Sequence, residues 1–181
     1  MNEKDKCHVM IDLETYSTNS NAVIRSIGVL LFNMSGEREV LMETGIDVES
    51  CLLVGLTIDQ DTINFWRKQP EEYRENLQEL STMNLKDALN DLQKVAQETL
   101  TELFVWGHGS DFDIVILGNA YKAIGQMPWW KYSNVRDTRT LFDLANYKYV
   151  SKGGHNALGD ANRQVDAVCE AYSRFILKEN L

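Results

Sequence analysis

The stretch VMIDLETYST, residues 9–18, sets two acids, Asp12 and Glu14, into what is otherwise an apolar run. Its length and its β-branched and aliphatic content predict a strand. Side chains two apart in a strand project to the same side, so Asp12 and Glu14 present two carboxylates on one face. Two like charges at that spacing need a counter-charge.

The rest of the chain limits what that counter-charge can serve. With 181 residues, 44% of them hydrophobic and 25% charged, the chain is long enough for one well-buried domain over residues 1–181. No apolar run approaches the ~20 residues that span a bilayer, and the start MNEKDKCHVM lacks the apolar segment of a secretion signal. A cytoplasmic protein without a membrane partner is expected. Cys7, Cys51 and Cys169 are odd in number and far apart, without CxxC spacing, and read as reduced structural thiols.

The net charge of −9 argues against holding nucleic acid by a general positive field. Its distribution is uneven: residues 1–121 carry 9 Lys and Arg against 21 Asp and Glu, a net of −12, and residues 122–181 carry 9 against 6, a net of +3. If a polyanion binds, its basic contacts come mainly from the C-terminal third. Otherwise the contrast is a solvated surface.

CHVMIDLE, NAVIRSIGVLLFN and REVLMETGID read as three strands, the last two joined by a turn at Ser35–Glu37, which makes an antiparallel meander. DQDTINFWRKQ and PEEYRENLQEL are helix-like, the second opened by Pro70. From Leu85 the apolar positions 85, 88, 89, 92, 95 and 96 keep helical period, with Asn84 as N-cap. TELFVWG is a strand, FDIVILGNAYKAIG a helix closed by Gly125, and another strand is expected near WWKYSNVRD. TRTLFDLANY is a short helix, KYVSKGG a basic loop, and Ala157–Leu177 the clearest helix, with an apolar stripe through Ala161, Val165, Val168 and Cys169. The pattern predicts an α/β fold whose five-stranded mixed sheet, three antiparallel strands plus two parallel, is flanked by helices.

Three distant segments bring acids to element ends: DLET closes the first strand, Phe112–Asp113 opens the helix after the fourth, and HNALGD, His155–Asp160, opens the last helix. Sites in open α/β sheets lie at strand ends, so these acids converge if the strands are neighbours. Four carboxylates without a cysteine, beside one histidine, are hard oxygen donors suited to Mg²⁺ or Mn²⁺ and not to Zn²⁺. Two such ions clamp the attacking and leaving oxygens of a phosphodiester and lower the pKa of a bound water. A histidine can take that water's proton. Asp12 and Glu14 would then neutralise the metals.

IDLET, FD and HNALGD resemble the three motifs of the DEDDh 3′→5′ exonucleases, a branch of the RNase H-like (DnaQ-like) superfamily, over residues 8–177. TIDQDTINFWRKQ and VRDTRTLFDL further resemble the subgroup of Rv2179c-like exoribonucleases and the T4-type phage exonuclease DexA. The resemblance implies Asp12, Glu14, Asp113 and Asp160 as metal ligands for two Mg²⁺ or Mn²⁺, and His155 as general base. It implies a single-stranded DNA or RNA 3′ end as partner, nucleoside 5′-monophosphates as products, room for a homodimer, and a bacterial or phage source, hence a host cytoplasm if phage-encoded. Leu13, Thr15, Phe112, Lys148, Lys152 and Arg163 are the expected substrate contacts. His108 stands where the subgroup more usually has asparagine. Asp111 rivals Asp113; the motif's preceding phenylalanine favours Asp113, which leaves Asp111 as a helix cap.

Each motif alone has a plainer reading: DLET a strand ending in a solvated turn, FD nothing specific, HNALGD a helix start capped by Asn156. Their joint order and placement favour catalysis. A non-catalytic nucleic-acid-binding module of the same fold, or an RNase H-like endonuclease, is the alternative. His8 and His108 read as structural, Trp66 as core, and Trp129–Trp130 as a strand pair with one ring inward and one outward.

Overall fold

The computed structural model describes residues 7–71, 73, 80–98, 102–151 and 153–179. Strands β1 (Cys7–Thr15), β2 (Ile24–Phe32) and β3 (Arg38–Ile46) pair as the antiparallel meander that their alternation predicts. Helices α1 (Val48–Leu53) and α2 (Gln60–Lys68) follow, each opened by an aspartate, Asp47 or Asp59, whose carboxylate accepts first-turn N–H groups. Next come β4 (Thr82–Met83), α3 (Leu85–Glu98), β5 (Leu103–Gly107), α4 (Asp113–Ala123), β6 (Val135–Asp137), α5 (Thr138–Ala145) and α6 (Ala157–Glu179). The sheet order is β4-β3-β2-β1-β5-β6, with β5 parallel to β1 and β6 parallel to β5.

The expected mixed sheet is present, with one strand more than expected. β4 is two residues long and pairs in parallel with β3 at Gly45 and Ile46; so short a strand shows no alternation for a sequence reading to detect. The strand expected near residues 129–137 is confined to Val135–Asp137 and follows a 3₁₀ turn at Tyr132–Asn134. Trp129 and Trp130 therefore do not alternate across a sheet; both rings are partly buried against the core, edge to face at 5.1 Å. Most of the helix expected over residues 70–80 lies outside the described residues.

Two apolar layers sandwich the sheet. Val9, Ile11 and Leu13 of β1 pack with Leu89 and Leu92 of α3 and Leu117 and Tyr121 of α4. Met10, Leu30, Phe32 and Trp106 pack with Phe142 of α5 and Val165 and Val168 of α6 on the other face. Strand alternation puts Asp12 and Glu14 on Met10's side, facing the start of α6.

Gly28 makes that approach possible. It is the β2 partner of Asp12 across the ladder, and a Cβ there would lie 2.4 Å from the backbone of Ala157 and Leu158. Only a residue without a side chain lets the α6 N-terminus rest on the sheet beside Asp12.

Candidate active site

Asp12 and Glu14 come from the end of β1, Asp113 from the first residue of α4 and Asp160 from the first turn of α6. Oxygens of Asp12, Glu14 and Asp160 lie within 4.8 Å of one another. The buried Asp113 carboxylate accepts the Leu13 N–H at 3.0 Å, which ties it to the strand between the two β1 acids. All four acids border one cleft of about 210 Å³, with His155 and Gln164 on its wall.

The charges are stacked against one another. Asp12 is pushed well above the usual carboxylate range by burial, then by Asp113, Glu14 and Asp160; the Gln164 amide works in the opposite sense. Burial pushes Glu14 up to about 8, with Asp160 adding and Arg25 opposing. Burial pushes Asp113 up to about 7. A buried cluster of mutually repelling carboxylates is stable as anions only beside added positive charge. The donors are all carboxylate oxygens, and beside them the Gln164 Oε1 is buried without a hydrogen-bond donor among the described residues. This set fits a hard divalent cation.

Part of the counter-charge is supplied by the chain. The ladder shifts register between Glu14 and Thr15, which pair with Ser26 and Ile24 and leave Arg25 out of the pairing. Arg25 is 5% exposed, lies 3.9 Å over the Trp66 ring, and acts on Glu14. Asp160 is engaged twice: it accepts the Asn156 N–H at 3.2 Å and pairs with Arg163. Asn156 meanwhile accepts the Gly159 N–H at 2.6 Å, so its plainer role as cap holds alongside Asp160's place in the cluster.

His155 reaches the cleft through an unusual backbone. Gly153, Gly154 and His155 have φ of 69°, 116° and 41°, left-handed values that cost a residue with a Cβ about 1–2 kcal/mol. Its imidazole sits among aromatic rings of the opposite wall, 5.1 Å from Phe65, 5.7 Å from Trp66 and 6.3 Å from Tyr73. Trp66 is buried and donates to Thr15 O at 2.8 Å, a core role as expected.

A second cleft, about 460 Å³, adjoins the first and shares Leu13, Glu14 and Phe112 with it; Thr15 and Phe65 also line it. Of the other expected substrate contacts, Lys148 is exposed beside the cleft-lining Tyr149. Arg163 donates to Gly153 O at 2.9 Å in addition to its pair with Asp160. Lys152 lies outside the described residues. Asp111 is exposed and caps nothing: Phe112 holds the cap position of α4 without a side-chain bond. His108 is more than a turn residue, because it lines the cleft, meets Thr138 Oγ1 at 2.7 Å and packs 4.7 Å from the Tyr149 ring.

Sequence reasoning missed Gln164 and Arg25. Both had a signal. Gln164 interrupts the apolar stripe of α6 one turn after Asp160, and Arg25 is the lone charge in β2.

The model of the Rv2179c-like family, described as a 3′-5′ exoribonuclease domain, matches residues 7–172. No curated protein matches the chain by sequence. Among solved structures, an E. coli exonuclease I–ssDNA complex superposes with TM-score 0.63 at 11% identity, over 93% of this chain and 41% of that one. The nuclease domain of 3′hExo, a DEDDh family member bound to rAMP, superposes with TM-score 0.52 at 12% identity, over 93% of this chain and 92% of that one. The chain thus spans about two fifths of the exonuclease I chain and nearly all of the 3′hExo domain. At these identities the likeness is one of fold, the α/β exonuclease fold of the RNase H-like class.

Proposed function

The chain belongs to the Rv2179c-like family of 3′-5′ exoribonuclease domains, and from that premise we propose that it hydrolyses single-stranded 3′ ends, one nucleoside 5′-monophosphate at a time, with two Mg²⁺ or Mn²⁺ ions. The observation that carries the proposal is the convergence of Asp12, Glu14 and Asp160 on one point, with Asp113 held beside them and His155 on the facing wall. The resemblance of TIDQDTINFWRKQ and VRDTRTLFDL to the T4-type phage exonuclease supports a finer placement beside it within the family.

Asp12, Glu14, Asp113 and Asp160 would hold the ions, which when bound supply positive charge to the scissile phosphate and activate the attacking water. His155 would be the residue that accepts a proton from the attacking water. The second cleft takes the terminal nucleoside: Phe112 and Phe65 offer stacking faces, and Glu14, Asp59 and Asp61 make it a poor seat for phosphate. Phosphates of the strand run instead toward Lys148 and Arg163, on the basic C-terminal third.

Incubating the protein with 5′-labelled single-stranded RNA, single-stranded DNA and duplex, in Mg²⁺ or in EDTA, tests this. A ladder shortening from the 3′ end, with mononucleotide release and only in Mg²⁺, is expected, and the family's description makes RNA the first substrate to try. Internal cuts would show an endonuclease, and binding without cleavage a binding module.

A further inference from the structure

Gln164 lies on α6 one turn after Asp160, in a row otherwise held by Ala161, Val165 and Val168 against the sheet. It is 3% exposed. Its Nε2 donates to Asp12 Oδ1 at 2.7 Å, while Oε1 is buried with no donor among the described residues. Its side chain lines the cleft at the four acids. With the NH₂ group donating to Asp12, the carbonyl is the end of the amide left without a partner. A buried acceptor without a donor is destabilising, and an apolar residue at this position would avoid that cost.

We propose that Gln164 is a positioning residue for the divalent-ion site: its amide holds one oxygen of Asp12 so that the other is presented to the ion, and its carbonyl receives a water that enters the cleft with the ion. The inference rests on the metal-dependent reading above. It explains why one helix carries both a carboxylate of the cluster and an amide aimed at another. Asp160 sits in the first turn of α6 and Gln164 follows at i+4, so both reach the same end of β1.

Mn²⁺ binding to the purified protein without substrate, followed by the electron paramagnetic resonance of free Mn²⁺, tests the proposal. Wild type, Gln164→Met and Asp12→Asn are compared, with circular dichroism as the check on folding. Gln164→Met should fold and lose about 10–100-fold in Mn²⁺ affinity, the range for groups that orient a metal ligand; Asp12→Asn should lose more. The Mg²⁺ concentration for half-maximal cleavage should rise by the same factor in Gln164→Met, a shift that a packing role alone would not produce. A folded Gln164→Met protein with wild-type Mn²⁺ affinity, beside an Asp12→Asn protein that has lost it, would overturn the role of Gln164 and leave the metal site standing. Equal affinity in wild type and Asp12→Asn would instead remove the metal-site reading itself. Should Gln164→Met not fold, Gln164→Asn, which keeps the amide but withdraws it by one carbon, is scored by the same outcomes.

Discussion

The two ends of β1 each bury polar side chains on the same face of the sheet, and they treat them in opposite ways. At the N-terminal end His8 is 6% exposed, accepts the Trp106 Nε1–H at 3.0 Å, and is ringed by Phe32 and Phe104 at 5.3 and 5.6 Å. Four residues on, Asp12 and then Glu14 are set among carboxylates that repel them. A polar group buried with its partner stabilises a fold, whereas like charges buried together destabilise it until something else arrives. The first arrangement is architecture. The second makes sense only with a ligand.

The sharpest way to break this contrast is to remove one group at each end. Asp12→Asn should reduce cleavage to the background seen in EDTA while the metal-free denaturation midpoint stays level or rises, because a repelling charge has gone. His8→Ala should do the reverse, losing about 1–3 kcal/mol as Trp106 is left without its acceptor, with turnover per folded molecule retained. Denaturant titrations paired with active-site-normalised rates check both. A destabilised Asp12→Asn protein, or an inactive but fully folded His8→Ala protein, would collapse the distinction.

His155 tests the charged end in a second way, because its ring sits in an aromatic corner that a purely structural histidine could also occupy. His155→Ala should lower kcat by about 10²–10⁴-fold with a much smaller change in KM, the signature of a lost proton acceptor. Phe65→Ala, which opens the corner but keeps the imidazole, should lower kcat less than His155→Ala. Single-turnover rates at saturating RNA and Mg²⁺ separate the two, and an unchanged kcat in His155→Ala would leave the acids needing another base.

What could be read before any coordinates follows the same division. The meander, the period-3.6 stripe of α6 and the same-face pair Asp12 and Glu14 all rest on local alternation, and local alternation survives folding. The convergence of DLET with HNALGD was legible only as a joint pattern, since neither segment carries the distance between them. Gly28 is the missing link: nothing in IRSIGVLLF announces that this glycine, and not a valine, lets α6 close on Asp12. Strand β4 and the Trp129–Trp130 packing were illegible for a different reason, being set by tertiary contacts over two or three residues. Arg25 and Gln164 were visible as polar intrusions, and only the ladder shift and the helix register say what they face.

The smallest expected effect is on stability alone, and its sign follows from the raised carboxylates. In the metal-free protein Glu14 is moved from 4.5 to about 8 and Asp113 from 3.8 to about 7. A carboxylate whose folded-state pKa is raised keeps its proton in the native state after the unfolded chain has lost it. Between roughly pH 4.5 and 8 the native state therefore binds more protons, and stability falls as pH rises, by a few kcal/mol in order of magnitude. Guanidinium midpoints in EDTA should be lower at pH 8 than at pH 5, and Glu14→Gln should flatten part of that slope. Saturating Mg²⁺ or Mn²⁺ should raise the pH 8 midpoint most, because the ion stabilises the ionised forms that the empty cluster resists. The His8 end has no part in this dependence on added ion. A midpoint that rises from pH 5 to pH 8 in EDTA, or one that divalent ions leave unmoved at pH 8, would mean that the acids are already neutralised within the chain, and the two ends of β1 would then be alike.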